Sequence, residues 1–355
     1  MDMKRLAGGI AVVLVIAGVA GSLVWKQTEK ARTPEVINII ATKEAIAFCE
    51  NPKVVDVFLK KHNRTLKCTQ DSTGKIVARG AKDIVGIDVL LPASDVAART
   101  YKGPKLGLEP AFPSQPVGFT KTEHAEAFVN AGFARKEADG SITLLVAKFV
   151  EAMDAGKTWK SIGIDGVGKL KIRTTDVKAT SSGQGYVNLL AAVYNNGDPA
   201  NLGNAEELGR KIKPHVERMG SLPMTSSELL QQCLMTGCFE LNIGFENSYI
   251  RTARESTDNE KIMSQKLRIM YLEPGMWGYH TVIFLTDNGK LFLEALKDPV
   301  LREIAWTDHG FRTGTTGITG DATKVPVKGI RPAVSAAISM ATPEVNTMLI
   351  NQVTQ

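Results

Sequence analysis

The chain contains 355 residues, of which 43% are apolar and 23% are charged, and its formal net charge is +6. These proportions are those of a folded protein, and the length exceeds what one hydrophobic core commonly holds, so we expect two domains. Aromatic residues make up only 6% of the chain, and the basic residues are scattered. A nucleic-acid surface needs clustered basic residues, so the sequence predicts no nucleic-acid partner.

The first element is an apolar segment that is long enough to cross a membrane. Residues 6–25, LAGGIAVVLVIAGVAGSLVW, carry no charge and follow Lys4 and Arg5. A helix of about 20 residues spans roughly 30 Å, the thickness of the hydrocarbon core of a bilayer. Since positive residues favour the cytoplasmic side, we expect residues 1–34 to form a cytoplasmic tip, a single-pass transmembrane anchor and a stalk. The predicted location is the cytoplasmic membrane, with a periplasmic or extracellular ectodomain.

A cleaved signal peptide is the alternative interpretation of this segment. Gly18 and Ala20 are small enough for a cleavage site. However, they lie inside the apolar run, which continues through residues 21–25 and ends at Trp25. The sequence therefore favours an uncleaved anchor.

Strands and helices alternate in the next part of the chain. Residues 35–41 (EVINIIA) and 64–70 (RTLKCTQ) are predicted strands, and residues 51–62 (NPKVVDVFLKKH) form a helix between them. A second helix, capped by Ser72 or by the residue before it, leads into a third strand within residues 84–94. This βαβαβ order predicts a parallel sheet that is covered on both faces, so the fold class is α/β.

Three prolines then interrupt the pattern. Pro110, Pro113 and Pro116 fall within residues 108–118. Proline disfavours a regular helix or a central strand, so we interpret this segment as a connection between domains.

The rest of the chain continues with helices and strands. The predicted helices are residues 121–133, 144–156, 186–196, 224–237, 291–311 with a break near Pro299, and 342–352. The predicted strands are residues 168–174, 239–245, 266–274 and 281–287. Residues 312–332 are rich in Gly, Thr and Pro and are predicted to form a surface loop.

The four cysteines are consistent with an oxidising compartment. Cys49 and Cys68 are 19 positions apart, and Cys233 and Cys238 are 5 apart, so two local disulfides are the simplest of three possible pairings. Zinc is disfavoured because CLMTGC lacks the C-x-x-C spacing and the histidines form no pair on one helix face. We expect no metal and no other cofactor.

Small hydroxyl residues recur where a predicted strand gives way to a helix. In an open α/β sheet, ligands lie beyond the carboxyl ends of the strands, next to helix N-termini. Capping of those helices is the alternative role for these Ser and Thr residues. The candidate ligand-binding residues are Thr42, Lys43, Glu44, Ser72, Thr73, Gly74, Ser94, Asp176, Ser181, Ser182, Gly183, Glu246 and Asn247.

The same residues bear on the charge of the ligand. Hydroxyls and helix starts favour an anion, and Lys43 can add a charge-assisted contact. Glu44, Asp176 and Glu246 would repel an anion, so a cationic or zwitterionic ligand stays open. Trp277, near the Pro274 turn, is a further candidate for a position in a cleft.

The order of these segments resembles the type II periplasmic solute-binding proteins, the ligand-capturing subunits of ABC importers. Residues 309–312 (HGFR) are similar to an "hGFR" turn of that family, and residues 174–184 (TTDVKATSSGQ) to its "TDPxxSxSG" loop, with Val177 in place of the proline. The resemblance implies a two-lobed α/β periplasmic-binding-protein type II fold, with one lobe built from both ends of the chain and two crossing hinge strands, that closes on a ligand; the apolar segment of residues 6–25 adds the membrane anchor. We expect lobe 1 to comprise residues 35–112 plus 276–355, and lobe 2 residues 113–275.

The predicted function is capture of a small polar solute, with an anion favoured, for an ABC transporter permease or another partner; no catalysis is expected. The rival is an ectodomain that binds no ligand and acts as a structural part of a membrane assembly. A serine-type hydrolase is the third interpretation, because Ser72 and Lys75 fit an S-x-x-K pattern. No well-placed partner motif accompanies it.

Overall fold

The computed structural model describes residues 33–313, 320–334 and 338–355. The predicted transmembrane helix of residues 6–25 lies outside these described residues. Within them, no helix combines the length and the apolar character needed to cross a bilayer.

Many of the predicted elements are present, but residues 168–174, predicted as a strand, form only isolated bridges. The strands at 134–136 and 142–145 and the helices at 205–217 and 257–266 were not predicted. The strands are β1 (Glu35–Ala41), β2 (Arg64–Gln70), β3 (Val89–Leu91), β4 (Gly107–Ser114), β5 (Pro116–Lys121), β6 (Ala134–Lys136), β7 (Ile142–Leu145), β8 (Asn242–Phe245), β9 (Leu267–Glu273) and β10 (Gly278–Phe284). The helices that end before residue 200 are α1 (Lys43–Cys49), α2 (Pro52–His62), α3 (Thr73–Val77), α4 (Asp95–Thr100), α5 (Thr122–Asn130), α6 (Val146–Asp154) and α7 (Ser181–Tyr194). The later helices are α8 (Ala205–Glu217), α9 (Ser226–Thr236), α10 (Glu246–Arg254), α11 (Thr257–Lys266), α12 (Asp287–Ala295), α13 (Pro299–Thr307) and α14 (Pro343–Thr354).

The first sheet forms the centre of lobe 1, with the strand order β2-β1-β3-β10-β4. Strands β1, β2 and β3 are parallel, as the βαβαβ pattern predicts. Helices α1, α2, α12 and α13 supply much of the core around Phe48, Phe58 and Phe292, all of which are fully buried. The carboxyl ends of the parallel strands therefore lie together at one edge of this lobe.

The second sheet forms the centre of lobe 2, with the order β6-β7-β9-β5-β8. Helices α5, α6 and α7 cover one face, where Phe128, Phe149 and Trp159 make contacts between their rings. Helices α9 and α10 cover the other face. Since α7 and α9 both begin at the edge that faces lobe 1, their N-termini point toward the first sheet's strand ends.

Three chain crossings connect the lobes, the third between α13 of lobe 1 and residues 325–334 of lobe 2. Strand β4 passes into β5 at Gln115, and β9 returns into β10 through residues 274–277. The proline-rich segment thus joins the lobes, as predicted, but it does so as two strands rather than as an irregular connection. Pro110 lies in β4, the edge strand of its sheet, where a missing N–H costs no ladder hydrogen bond. Pro116 is the first residue of β5, a position that proline also tolerates.

The C-terminal tail differs from the predicted assignment of residues 276–355 to lobe 1. Helix α14 packs on α8 and α7, and Leu349 is fully buried in the core of lobe 2. Asn188 of α7 donates to Asn346 of α14 at 2.7 Å. Residues 325–334 cover β9 and β5 of the same lobe. The apolar face of α14 finds its partner there, so the tail completes lobe 2.

Both predicted disulfide pairings are present. Cys49, at the end of α1, is bonded to Cys68 of β2. Cys233 of α9 is bonded to Cys238, just beyond that helix. No free cysteine occurs among the residues that the structure describes.

Candidate solute-binding cleft

A cavity of about 460 Å³ lies between the lobes, and we call it the cleft. Lobe 1 contributes the turns after β1, β2 and β3, and lobe 2 contributes the starts of α7 and α9. Seven of the predicted binding residues line its wall: Thr42, Lys43, Glu44, Ser72, Thr73, Ser181 and Ser182. The arrangement places strand ends and helix N-termini around one volume, which is the usual position of a ligand in an open α/β fold.

The start of α7 is held by a compact hydroxyl network. Thr180 caps the helix by accepting from the amide of Gly183 at 3.0 Å. Thr175 hydrogen-bonds both Thr180 and Ser182, each at 2.6 Å. A Cβ atom at Gly183 would lie 2.4 Å from the carbonyl oxygen of Asp176, so glycine is required for this close approach. The network fixes the amides of the first turn toward the cleft.

The start of α9 forms the second part of the lobe 2 wall. Thr225 accepts from the amide of Glu228 at 3.0 Å, and the carboxylate of Glu228 accepts from the amide of Met224 at 2.9 Å. This reciprocal capping box satisfies the carboxylate locally. Sequence analysis identified the capped helix but did not include Thr225 or Ser226 among the binding residues. Their position as hydroxyl residues at the start of a capped helix was the available signal.

The turn after β2 is mainly a helix cap. Ser72 accepts from the amide of Lys75 at 3.4 Å, and Thr73 accepts from the amide of Ala93 at 3.1 Å. Asp71 forms a salt bridge with Arg79 at 2.7 Å. The negative charge of this part of the wall is therefore compensated.

Two buried polar side chains on the lobe 1 wall have no partner. Thr42 and His280 are 5% and 4% exposed, and both line the cleft. The hydroxyl of Thr42 and Nε2 of His280 make no hydrogen bond. Buried polar atoms without a partner are rare in folded proteins, and a ligand can provide the missing bond. Sequence analysis missed His280 because a lone histidine in a strand has no distinctive pattern.

The charge near the bottom of the cleft is also unbalanced. Burial lowers the pKa of His280 to about 4, Glu44 raises it and Arg251 lowers it, so the ring is neutral at pH 7. Arg251 of α10 donates to Ser227, and its Nε is buried without a partner. No carboxylate among the described residues forms a salt bridge with Arg251. Arg251 therefore places a positive charge behind the cleft, opposite in sign to the carboxylate of Glu44.

The remaining six predicted residues do not line the cleft: Gly74, Ser94, Asp176, Gly183, Glu246 and Asn247. Ser94 caps α4 by accepting from Ala97 at 3.1 Å. Asp176 accepts from the amides of Lys178 and Ala179, at 2.9 and 2.8 Å, in the turn before α7. These contacts are local, as the capping alternative predicts.

Glu246 and Asn247 belong to the hinge. Glu246 is fully buried and forms a salt bridge with Arg312 at 2.6 Å, and it also accepts from the hydroxyl of Tyr271 at 2.7 Å. Asn247 pairs with Ser114, at the end of β4, at 2.9 Å. The carboxylate that seemed to repel an anion is therefore neutralised within the protein.

Metal coordination has no evident donor set in the described part of the chain. No group of three or more His, Cys, Asp and Glu side chains is arranged to hold a metal ion there. The cleft instead offers hydroxyls, backbone amides and one neutral imidazole.

Comparison with known structures identifies proteins of similar fold. No protein-family model matches the chain, and no curated protein matches it in sequence. A periplasmic thiamin-binding protein is similar in structure, with a TM-score of 0.58, 14% identity, and 91% of this chain and 96% of that chain covered. Iron-bound HitA from Pseudomonas aeruginosa also has a TM-score of 0.58, with 10% identity and coverage of 91% and 100%. Apo ferric ion-binding protein A from Pasteurella haemolytica has a TM-score of 0.57, with 12% identity and coverage of 90% and 96%.

These likenesses extend over both lobes and establish the architecture. The chain has the two-lobed α/β fold of the type II periplasmic solute-binding proteins, which confirms the resemblance noted in the order of its segments. At identities this low, the likeness does not carry over the ligand, because function depends on the residues of the site.

Proposed function

We propose that this chain is an extracytoplasmic solute-binding protein that captures a small polar solute between its two lobes, with an anion preferred. The observation that carries the proposal is the cleft itself, in which Thr42 and His280 of lobe 1 are buried without hydrogen-bond partners. A solute that supplies those bonds would also meet the amides at the starts of α7 and α9. Closure of the lobes would then remove it from water.

The preference for an anion has three sources. Helices α7 and α9 present their N-termini to the cleft, and the partial positive charge there favours anions. Lys43 and Arg251 add full positive charges. Lys75 also lines the cleft, whereas the carboxylates of Glu44 and Glu228 line it too and oppose an anion.

The rival roles have less support. A scaffold without a ligand would be expected to fill its cleft with its own side chains, whereas this cleft is open and lined by polar groups. A hydrolase using Ser72 would need a base near that hydroxyl. Ser72 instead accepts from the backbone amide of Lys75. Capture without chemistry is therefore the better account.

In this proposal, residues 6–25 hold the protein at the cytoplasmic membrane, and an ABC-type importer permease receives the solute. The oxidised cysteines agree with an exported location. Membrane fractionation tests the attachment directly. Recovery of a soluble mature chain that begins near Gly21 would contradict it.

Isothermal titration with a panel of sulfate, phosphate, carboxylates and amino acids tests capture. With the best ligand, Thr42→Val and His280→Ala should each weaken binding by about 1–3 kcal/mol, since each removes a buried hydrogen-bonding partner. Thr100→Val is the matched control, because that exposed hydroxyl of α4 donates only to the carbonyl of Ala97. Unchanged affinity in both cleft variants would show that the solute does not use this wall.

A further inference from the structure

A second cavity lies between the lobes, next to the hinge, and we call it the hinge pocket. Its volume is about 420 Å³, and it shares no lining residue with the cleft. Helix α4 of lobe 1, the Trp277–Tyr279 segment at the second crossing, and residues 338–343 of the tail form its walls. The tail packs on lobe 2, so the hinge pocket is built from both lobes.

Two aromatic rings lie on one wall of the hinge pocket. The rings of Trp277 and Tyr279 are 6.5 Å apart between centroids and inclined by 43°. Both side chains are partly exposed. Successive side chains of a strand point to opposite faces, so Tyr279 and His280 of β10 serve different cavities, the hinge pocket and the cleft.

A carboxylate lies beside these rings. Burial raises the pKa of Asp95. The pKa of the Tyr279 hydroxyl is also raised, mainly by burial and to a smaller extent by the charge of Asp95. Asp95 and Tyr279 line the same pocket, and the Asp95 side chain is 24% exposed, so its carboxylate is partly removed from water.

Arg99 is the other charged residue among the described residues that line the pocket. Its Nε is 4.0 Å from the carboxylate of Asp95, at the limit of a salt bridge, and its side chain is 60% exposed. An exposed pair at this distance contributes little stability. A cation that binds Asp95 therefore competes with Arg99 for its carboxylate.

We propose that the hinge pocket binds a small organic cation, with its ammonium group between the carboxylate of Asp95 and the rings of Trp277 and Tyr279. Aromatic faces attract ammonium groups, and the carboxylate adds a full opposite charge. The polar backbone and hydroxyl groups of residues 339–342 can accept from a polar end of the ligand. This site is separate from solute capture in the cleft, so neither proposal depends on the other.

Choline and its uncharged isostere 3,3-dimethyl-1-butanol test the site, because they share a shape and differ in charge. We expect choline to bind the full-length protein saturably by calorimetry and to change Trp277 fluorescence, with sodium chloride held at equal ionic strength. Asp95→Asn and Trp277→Leu should each weaken choline binding by about 10-fold or more. The isostere should not bind.

Three controls keep the test decisive. Asp165→Asn removes an exposed carboxylate far from both cavities in sequence and should leave choline binding unchanged. Trp277→Phe keeps an aromatic face and should retain most of the affinity even if Trp277→Leu folds poorly. Asp56→Asn, on the exposed surface of α2, should also leave choline binding unchanged. Equal binding of choline and the isostere, no saturable choline binding, or unaltered binding to Asp95→Asn would each overturn the proposal.

Discussion

His280 is the residue whose charge state should connect pH with stability. Burial lowers its pKa to about 4 in the folded protein, whereas an exposed histidine titrates near 6.5. The unfolded chain therefore takes up a proton first as the pH falls, so folded stability is lost between about pH 6.5 and pH 4. The shift corresponds to a loss of about 3 kcal/mol in the free energy of unfolding.

Urea unfolding of the wild type and of His280→Gln at pH 7, 5.5 and 4 measures this loss. We expect a smaller acid-induced loss in the variant. Burial also lowers the pKa of His309 to about 4, so the double variant with His309→Gln should lose still less. An identical pH dependence in wild type and both variants would contradict the assignment.

The Glu246–Arg312 pair is the strongest residue-scale contact of the hinge. Both side chains are fully buried, and Arg312 also donates to the carbonyl of Arg331 at 2.7 Å. Glu246→Gln should lower the free energy of unfolding by about 3–5 kcal/mol, because it leaves a buried guanidinium without its counter-charge. Chemical denaturation measures the loss.

An exposed ion pair provides the comparison for that measurement. Asp56→Asn removes the partner of Lys60 on the surface of α2, where the side chains are 52% and 72% exposed. That change should stay within about 0.5 kcal/mol of wild type. A similarly small effect for Glu246→Gln would show that the hinge does not depend on the buried pair.

Residue-scale sequence patterns predicted part of the cleft. Thr42 and Ser182 were found because they follow strands and precede helices, which is a local pattern. Glu246 fits the same pattern, yet it pairs with Arg312, a residue 66 positions away. No local pattern reveals that partner, and the same is true of the unpartnered state of His280.

At the scale of elements, hydrophobic periodicity identified most helices and strands. The bounds of β1 and β2 agree with the predicted ones because clear helix signals bound both; β1 contains a buried β-branched run, whereas β2 is an edge strand with no buried residue. The segment around Pro110 was harder to interpret. Proline excludes a central position in a sheet but permits an edge, and the sheet order that makes β4 an edge strand is a property of the tertiary fold.

Each disulfide joins two parts of the fold, and we expect the stability of the protein to depend on it. The Cys49–Cys68 bond joins α1 to β2 and closes a loop of 19 positions, so replacing both cysteines by serine should cost roughly 3 kcal/mol. The Cys233–Cys238 bond closes a loop of 5 positions and should cost less, about 2 kcal/mol. Denaturation of each double variant tests this order. A larger loss for the shorter loop would contradict it.

At the scale of the whole molecule, the two-lobed fold was predicted from segment order, but the assignment of the tail was not. Residues 342–352 were recognised as an amphipathic helix. An amphipathic face indicates that a partner exists without identifying it. The partner is α8 of lobe 2, where Gly209 lets the helices approach closely enough for Gln352 to contact it.

The tail therefore gives lobe 2 one wall of the hinge pocket, while the cleft is formed on the other side of β10. Opening and closing of the lobes would change both cavities. In the cleft, lobe closure should bring one solute into contact with Thr42 and His280 on one side and with the starts of α7 and α9 on the other. This is the central claim of the proposed function.

A crystal structure of the protein with the tightest-binding member of the titration panel tests that claim most directly. The account predicts one solute in the cleft, within hydrogen-bonding distance of Thr42 or His280 in lobe 1 and of Ser181 or Ser226 in lobe 2. A solute bound outside the cleft, or bound to one lobe alone, would contradict it.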